Sequence, residues 1–274
     1  MKPAICTGFD YAVPFDRSIE VIRKAGFEII ALGARPEHSG YAMPAGRAAI
    51  RMLMRTHGMR IDSVHAPFPE GDRLFSLEEN ERLESVRQCR LAMDTAAELD
   101  GRTVVIHLIQ PYDIPHGEMR DRMIDQGRRS VGALAIYAEE HGVKLAMENG
   151  QKADYDQVVA DFLAEFDAPH VGLCYDSGHE NVQGKCFHML ERFGRRLLTM
   201  HIHDNSGSDI HVLPFEGTTP WDEFRRILGA LPYSGNLLLE VDVRNSRFQD
   251  HTVFLSEARQ RAGRLLPNHS TGKA

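Results

Sequence analysis

The sequence predicts a single α/β domain folded as a (β/α)8 TIM barrel. Short apolar runs and helix-period segments alternate eight times along the 274 residues. The runs are rich in Val, Ile and Leu on both faces, as expected of parallel strands covered by helices. Eight such units in roughly 250 residues match the usual size of a closed barrel. No Gly-x-Gly-x-x-Gly follows the first run and no Gly-Lys-Ser/Thr occurs, so an open nucleotide-binding sheet has no local support.

The elements follow in order. Residues 4–8 read as a first strand ended by Gly8, and 16–25 as a helix with Ile19, Val21, Ile22 and Ala25 at helical spacing, stopped by Gly26. Residues 27–32 form the second strand, ended by Gly33, and 46–57 a helix stopped by Gly58. The third strand, 60–65, is broken by Pro67, and Ser76-Leu77-Glu78-Glu79 resembles a capping box opening a long helix to about Leu99. Strand four, 103–108, is β-branched, and the helix at 119–140 puts Val131, Leu134, Ala135 and Ala138 on one face. Strand five (144–148), a helix (155–166), strand six (171–176) and a helix (184–193) follow. Leu197-Leu198-Thr199-Met200 leads strand seven into His201, a helix spans 221–231, strand eight 236–241 and a last helix 252–266. One domain therefore covers 1–266, and the polar tail 267–274 is expected to be disordered.

The net charge of −7, from 32 basic and 39 acidic residues, argues against a broad nucleic-acid face. Cys6, Cys89, Cys174 and Cys186 form no metal-spacing pair and read as free thiols of a reducing compartment. No apolar run is long enough to span a membrane, and the first residues lack a secretory apolar region. The cytoplasm is the expected location. Pairing into a homo-oligomer is compatible with the composition.

The chemistry collects at strand ends. Strands three to eight finish, in turn, at His65, His107, Glu148, Asp176, His201 and Glu240. In a barrel all C-terminal strand ends meet at one mouth, where active sites lie. A lone histidine at a strand end is more often simply hydrogen-bonded than ligating. Six such ends in succession outweigh that reading. Carboxylates anchor a hard divalent ion, so Glu148, Asp176, His201 and Glu240, on adjacent strands, are expected to hold one Mn²⁺, Mg²⁺ or Co²⁺, with Zn²⁺ also accommodated. His203 and Asp204 follow His201, and Asp209 and His211 lie within one loop's length.

The chain resembles the xylose isomerase-like barrels of sugar phosphate isomerases and epimerases, a superfamily that includes apurinic endonucleases of the endonuclease IV type. The matching stretches run over nearly the whole chain: Ala25-Gly26-Phe27-Glu28, Val64-His65-Ala66-Pro67, Val105-Ile106-His107, Met147-Glu148-Asn149, Tyr175-Asp176-Ser177-Gly178-His179, His201-Ile202-His203-Asp204-Asn205, Asp209-Ile210-His211-Val212-Leu213-Pro214 with Gly217 and Trp221, and Leu239-Glu240. They are specific for the superfamily and not for one reaction.

The resemblance implies the same four ligands, with His201 rather than His203 as the imidazole, and gives Glu148 and Glu240 the catalytic proton transfers. His65, His107, His179, His203, Asp209 and His211 are then expected to bind substrate, with His203 and Asp204 backing the ligands. Two positions depart from ketohexose 3-epimerases. Gly207 stands where they carry Arg, and Asn149-Gly150-Gln151-Lys152 where they carry Asn-Arg. The endonuclease branch uses nine ligands for three zinc ions, and the residue types are all present: His65, His107, Glu148, Asp176, His179, His201, Asp209, His211 and Glu240. The motifs around them differ: no His-Pro-Gly follows strand four and no Glu-Asn-Thr-Ala strand five.

The expected function is a divalent-metal-dependent isomerase or epimerase of a small sugar, keto-sugar or polyol. The alternatives are an inosose-type or sugar-acid dehydratase on the same site, or a multinuclear zinc phosphodiesterase acting on abasic DNA. The last needs a rim that grips bent DNA, for which Arg35, His38, Tyr41 and Arg47 are candidates. The same residues also suit a substrate lid.

Overall fold

The computed structural model describes residues 1–267. The expectation of a disordered tail falls, apart from Pro267, outside the described residues. The strands are β1 (Pro3–Cys6), β2 (Ile29–Leu32), β3 (Arg60–His65), β4 (Thr103–Ile106), β5 (Lys144–Glu148), β6 (Val171–Asp176), β7 (Leu197–His201) and β8 (Leu237–Leu239). They lie in the order β7-β6-β5-β4-β3-β2-β1-β8, and the paired neighbours run parallel. The ring closes just past the end of β7. Ile202 N donates to Leu238 O at 2.9 Å and Glu240 N to Ile202 O at 3.1 Å. The closing residue is thus flanked by His201 and His203 and bonded to Glu240, so closure itself gathers site residues.

The helices are α1 (Phe15–Lys24), α2 (Pro36–Ser39), α3 (Pro44–His57), α4 (Glu79–Glu98), α5 (Glu118–Glu140), α6 (Ala153–Glu165), α7 (Ser177–Val182), α8 (His188–Phe193), α9 (Trp221–Ala230) and α10 (His251–Leu265). Side chains alternate along each strand. Ile5, Ile30 and Leu239 join the main apolar core with Ile19, Phe162 and Phe254 from the helices. Their strand neighbours Ala4, Ile29, Ala31 and Leu238 form a separate cluster on the opposite face, and Val105, Ala146 and Cys174 another. These fill the barrel, leaving its C-terminal mouth to polar residues.

The eight-fold alternation is as expected, and the differences are local. α2 is an unexpected single turn, begun by Pro36 and ended by Gly40 in the left-handed region. Ser76 does not cap α4; its Oγ accepts from Glu78 N at 3.1 Å and donates to Glu81 at 2.9 Å, and the helix starts at Glu79. The helix expected at 184–193 is two short ones. Asp176 caps α7 by accepting from His179 N, and Gly184 and Phe187, both at positive φ, break the chain before α8.

Candidate metal centre

Glu148, Asp176 and His201 are the last residues of β5, β6 and β7, and Glu240 follows β8 directly. The β6–β7 register places Asp176 beside His201, and Glu148 is paired across to Cys174, two residues before Asp176. One donor atom from each of the four lies within 4.8 Å of the others. His201 Nδ1 stands 2.9 Å from Glu148 Oε1 and 3.1 Å from Glu240 Oε2. Burial raises the Glu148 carboxyl, yet His201 and His107 outweigh it and hold it well below the usual carboxylate range. Burial likewise opposes ionisation of Glu240, and His201 overrides it. For His201, burial disfavours the cation, while Cys174, Glu148 and Glu240 push the imidazole well above its ordinary value. Three carboxylates gathered with one imidazole, two of them buried and Glu240 partly so, call for positive charge at that point. Glu148 Oε2 also makes no hydrogen bond of good geometry among the described residues. A divalent ion with oxygen and imidazole ligands fits this donor set.

Around it stands a wall of histidines. His65 Nε2 and His107 Nε2 face Glu148 Oε2 at 3.5 and 3.3 Å. His65 Nδ1 is 2.7 Å from Ala66 O. Burial lowers His107, but Asp72 and Glu148 push it up to about 10. His179, Asp209 and His211 form a second group whose donor atoms lie within 4.8 Å of one another. Asp209 Oδ1 is 3.2 Å from His211 Nε2, and its Oδ2 is 3.6 Å from His179 Nε2 and accepts from Gln151 at 2.8 Å. Burial raises Asp209, but His179 and His211 hold its carboxyl well below the usual range. His211 is in turn pushed up to about 9 by Asp209 and Glu240, against burial.

A cavity of about 480 Å³ opens over both groups, lined by Glu148, Glu240, His65, His107, His179, Asp209 and His211 among others. All but one of the residues expected to touch substrate therefore reach it. The exception is His203. It is fully buried and does not line the cavity. Its Nε2 sits 3.1 Å from both Asp176 oxygens, and its ring stacks on His211 at 3.7 Å. Asp204 is also displaced from the expectation. Its Oδ1 accepts from Asn205 N and Thr219 N, and its Oδ2 from Phe215 N and Trp221 Nε1. It anchors the loop between β7 and α9 instead of meeting ligands. Of the expected rim residues only Arg35 lines the cavity, with its guanidinium 4.7 Å from the Tyr11 ring centre. Tyr41 is buried with its hydroxyl donating to His65 O, Arg47 is paired with Glu98, and His38 packs its ring against Tyr11 and Phe15.

Sequence reasoning passed over Tyr112, Gln151 and Asp72. Tyr112 lines the cavity with its hydroxyl 3.3 Å from His179 Nε2. All three lie on loops, where no strand end announces them. Only Gln151, three residues past Glu148, was within reach of a spacing argument. The cysteines are free thiols, as expected. Among the described residues no helix is long and apolar enough to cross a membrane.

The chain is similar to known proteins in sequence and in fold. The uncharacterized protein y4fM of Sinorhizobium fredii is 30% identical over 247 residues, covering 81% of this chain and 79% of its own. The D-psicose 3-epimerase of Agrobacterium fabrum is 23% identical over 238 residues, covering 84% and 80%. A crystal structure of a D-tagatose 3-epimerase-like protein superposes with a TM-score of 0.80 at 23% identity, over 97% of this chain and 98% of that one. Residues 19–262 match the family model described as xylose isomerase-like TIM barrel. With its eight parallel strands and the site at their C-terminal ends, the chain belongs to the xylose isomerase-like TIM barrel family.

Proposed function

We propose that this protein is a divalent-metal-dependent isomerase or epimerase acting on a small sugar, keto-sugar or polyol. The observation that carries this is the convergence of Glu148, Asp176, His201 and Glu240 beneath one cavity. Relatives named as sugar 3-epimerases at sequence and structure level support it. The four residues would hold the cation, with Mn²⁺, Mg²⁺ or Co²⁺ suited to their oxygen-rich set. Bound there, it supplies Lewis acidity beside a substrate carbonyl oxygen. The chain does the rest. Glu148 and Glu240 both reach the cavity. One, as the carboxylate, takes the proton from the carbon next to the carbonyl. For epimerisation the other, carrying a proton as the carboxylic acid, gives it to that carbon from the opposite side, and for isomerisation the first hands the proton it took to the neighbouring carbon. His65, His107, His179, Asp209 and His211 line the wall and are placed to bind the hydroxyls.

The test works whatever the substrate's stereochemistry. The protein is incubated with Mn²⁺ and a panel of ketoses and polyol ketones in D₂O, and proton NMR follows loss of the hydrogen next to the carbonyl. Exchange that depends on both enzyme and metal supports the reading, and loss of a hydroxyl instead marks a dehydratase. A panel without exchange under any metal counts against it.

A second reading rests on the His179–Asp209–His211 group together with His65 and His107 facing Glu148 Oε2. These additional donors suit a multinuclear zinc phosphodiesterase. Metal content separates the two: about one ion per chain supports the isomerase, and three zinc ions the phosphodiesterase.

A further inference from the structure

Behind the contact of His107 with Glu148 stands a carboxylate that belongs to no strand end and to neither metal group. Asp72 lies in the loop after β3, 1% exposed. Its Oδ2 is 3.3 Å from His107 Nδ1, while the other ring nitrogen of His107 faces Glu148 Oε2 at 3.3 Å. Asp72, His107 and Glu148 therefore form a line from the loop to the cavity. The loop is pinned against α4. Arg73 N donates to Ser85 Oγ at 2.8 Å, and Ser85 Oγ donates to Glu70 O at 2.6 Å. Within the loop, Asp72 N donates to Pro69 O at 3.2 Å and Gly71 N to Pro67 O at 2.7 Å.

An ionised carboxylate only accepts hydrogen bonds, so the ring nitrogen facing it carries the hydrogen. The cation donates from both nitrogens, from Nδ1 to Asp72 and from Nε2 to Glu148 Oε2. In the neutral ring the two carboxylates compete for one hydrogen, and Asp72 is what draws it to Nδ1. Anchoring the loop does not explain a buried carboxylate here. Asp72 Oδ1 has no partner among the described residues, so the hydrogen bond to His107 is the side chain's own bond in this region. His65, by contrast, satisfies its Nδ1 on the neutral Ala66 carbonyl.

We propose that Asp72 is a positioning residue of this centre: it holds the His107 ring with Nδ1–H on Asp72 Oδ2, so that Nε2 is the nitrogen offered to Glu148 Oε2 and the cavity. The two Glu148 oxygens then differ in kind. Oε1 lies on His201, and Oε2 lies on an imidazole whose orientation a buried charge fixes. Outer partners of this type are worth roughly 10–100-fold in activity or metal affinity. That consequence for turnover rests on the isomerase reading; the place of the hydrogen does not.

The test is NMR of the full chain carrying ¹⁵N-labelled histidine and loaded with Mg²⁺, with His107→Gln used to assign the His107 signals. The wild type is expected to show a hydrogen-bonded Nδ1 proton on His107. Asp72→Asn, which keeps an acceptor and loses the charge, moves that proton upfield, and Asp72→Leu removes it. An unmoved Nδ1 proton in Asp72→Asn overturns the proposal even if the Leu variant fails to fold. In turnover, Asp72→Asn lowers kcat roughly 10–100-fold with little change in KM. A wild-type protein that shows the Nδ1 proton yet exchanges no substrate hydrogen sinks the isomerase reading and leaves the role of Asp72 standing.

Discussion

Gly178, in the first turn of α7, tests whether the packing behind Asp176 sets the metal centre. A Cβ at this position falls 1.9 Å from His203 Cε1 and 2.5 Å from its Nδ1. The imidazole has nowhere to retreat. It is fully buried, its far side stacks on His211 at 3.7 Å with the rings 7° from parallel, and its Nε2 is 3.1 Å from both Asp176 oxygens. Gly178→Ala must therefore shift the His203 ring off Asp176 or move α7. Overpacking of this kind costs about 1–3 kcal/mol, and a lost hydrogen bond to a charged group about 1.5–3 kcal/mol. A loss of about 3 kcal/mol or more follows. At about 2–4 °C per kcal/mol for a chain of this size, Tm falls by about 6–12 °C. The assay is thermal unfolding with and without Mn²⁺. Because Asp176 loses its support, the Mn²⁺-dependent gain in Tm also shrinks. Gly26→Ala is the control. Its Cβ meets nothing within 4 Å, but φ is +90°, so it strains the backbone by about 1–2 kcal/mol without changing the gain from Mn²⁺. A Gly178→Ala protein with wild-type Tm and wild-type Mn²⁺ response would refute the packing argument.

Other outcomes are expected. Chelation lowers Tm and Mn²⁺ restores it, by about 4 kcal/mol when the free ion is at a thousand times its Kd; a Tm indifferent to chelator and metal removes the basis for the four-residue site. Glu240→Gln keeps the fold and loses at least about 100-fold in kcat, and full turnover by a folded, metal-bound variant defeats the two-glutamate mechanism. Glu180 is 1% exposed, and burial pushes its carboxyl from 4.5 to about 8. The folded state binds that proton more tightly than the unfolded chain, so the stability it adds is complete below pH 4.5 and lost as pH rises toward 8. The total is up to about 5 kcal/mol. Urea unfolding across this range should show the decline, and Glu180→Gln should flatten it; an equally steep fall in the variant argues against Glu180 as its source.

The four central residues were legible because a parallel barrel converts sequence position into place. A His, Asp or Glu that closes an apolar run must arrive at the mouth. Asp176 and His201 illustrate this: each ends its strand, and the strand register makes them neighbours. Asp204 shows the limit. It follows His203 by one residue and looks equally functional in sequence, yet its two oxygens take four hydrogen bonds from the loop that follows. Whether a carboxylate is spent on backbone N–H groups depends on the path of a loop, which periodicity does not report. His203 backs Asp176, as one of its two expected roles has it, and does not line the cavity, as the other would require. Alternation puts it on the same face as His201, but the strand ends at His201, and beyond it the chain carries the ring behind Asp176. Asp72 could not be found at all, since the loop after β3 reaches His107 only once the barrel is built.

Charge balance ranks the two metal-capable groups. In the first, three carboxylates, Glu148, Asp176 and Glu240, gather with His201, and His65, His107, His179 and His203 face Glu148 or Asp176 from outside the group. In the second, a single carboxylate, Asp209, already has His179 and His211 beside it and accepts a hydrogen bond from Gln151. Carboxylates gathered this closely repel unless a cation joins them, and three gather in the first group against one in the second. On this ground we propose that the first equivalent of metal goes to the four strand-end residues rather than to Asp209. On the same ground we propose that Asp209 and His211, which line the cavity, serve substrate, a paired carboxylate and imidazole offering one acceptor and one donor side by side.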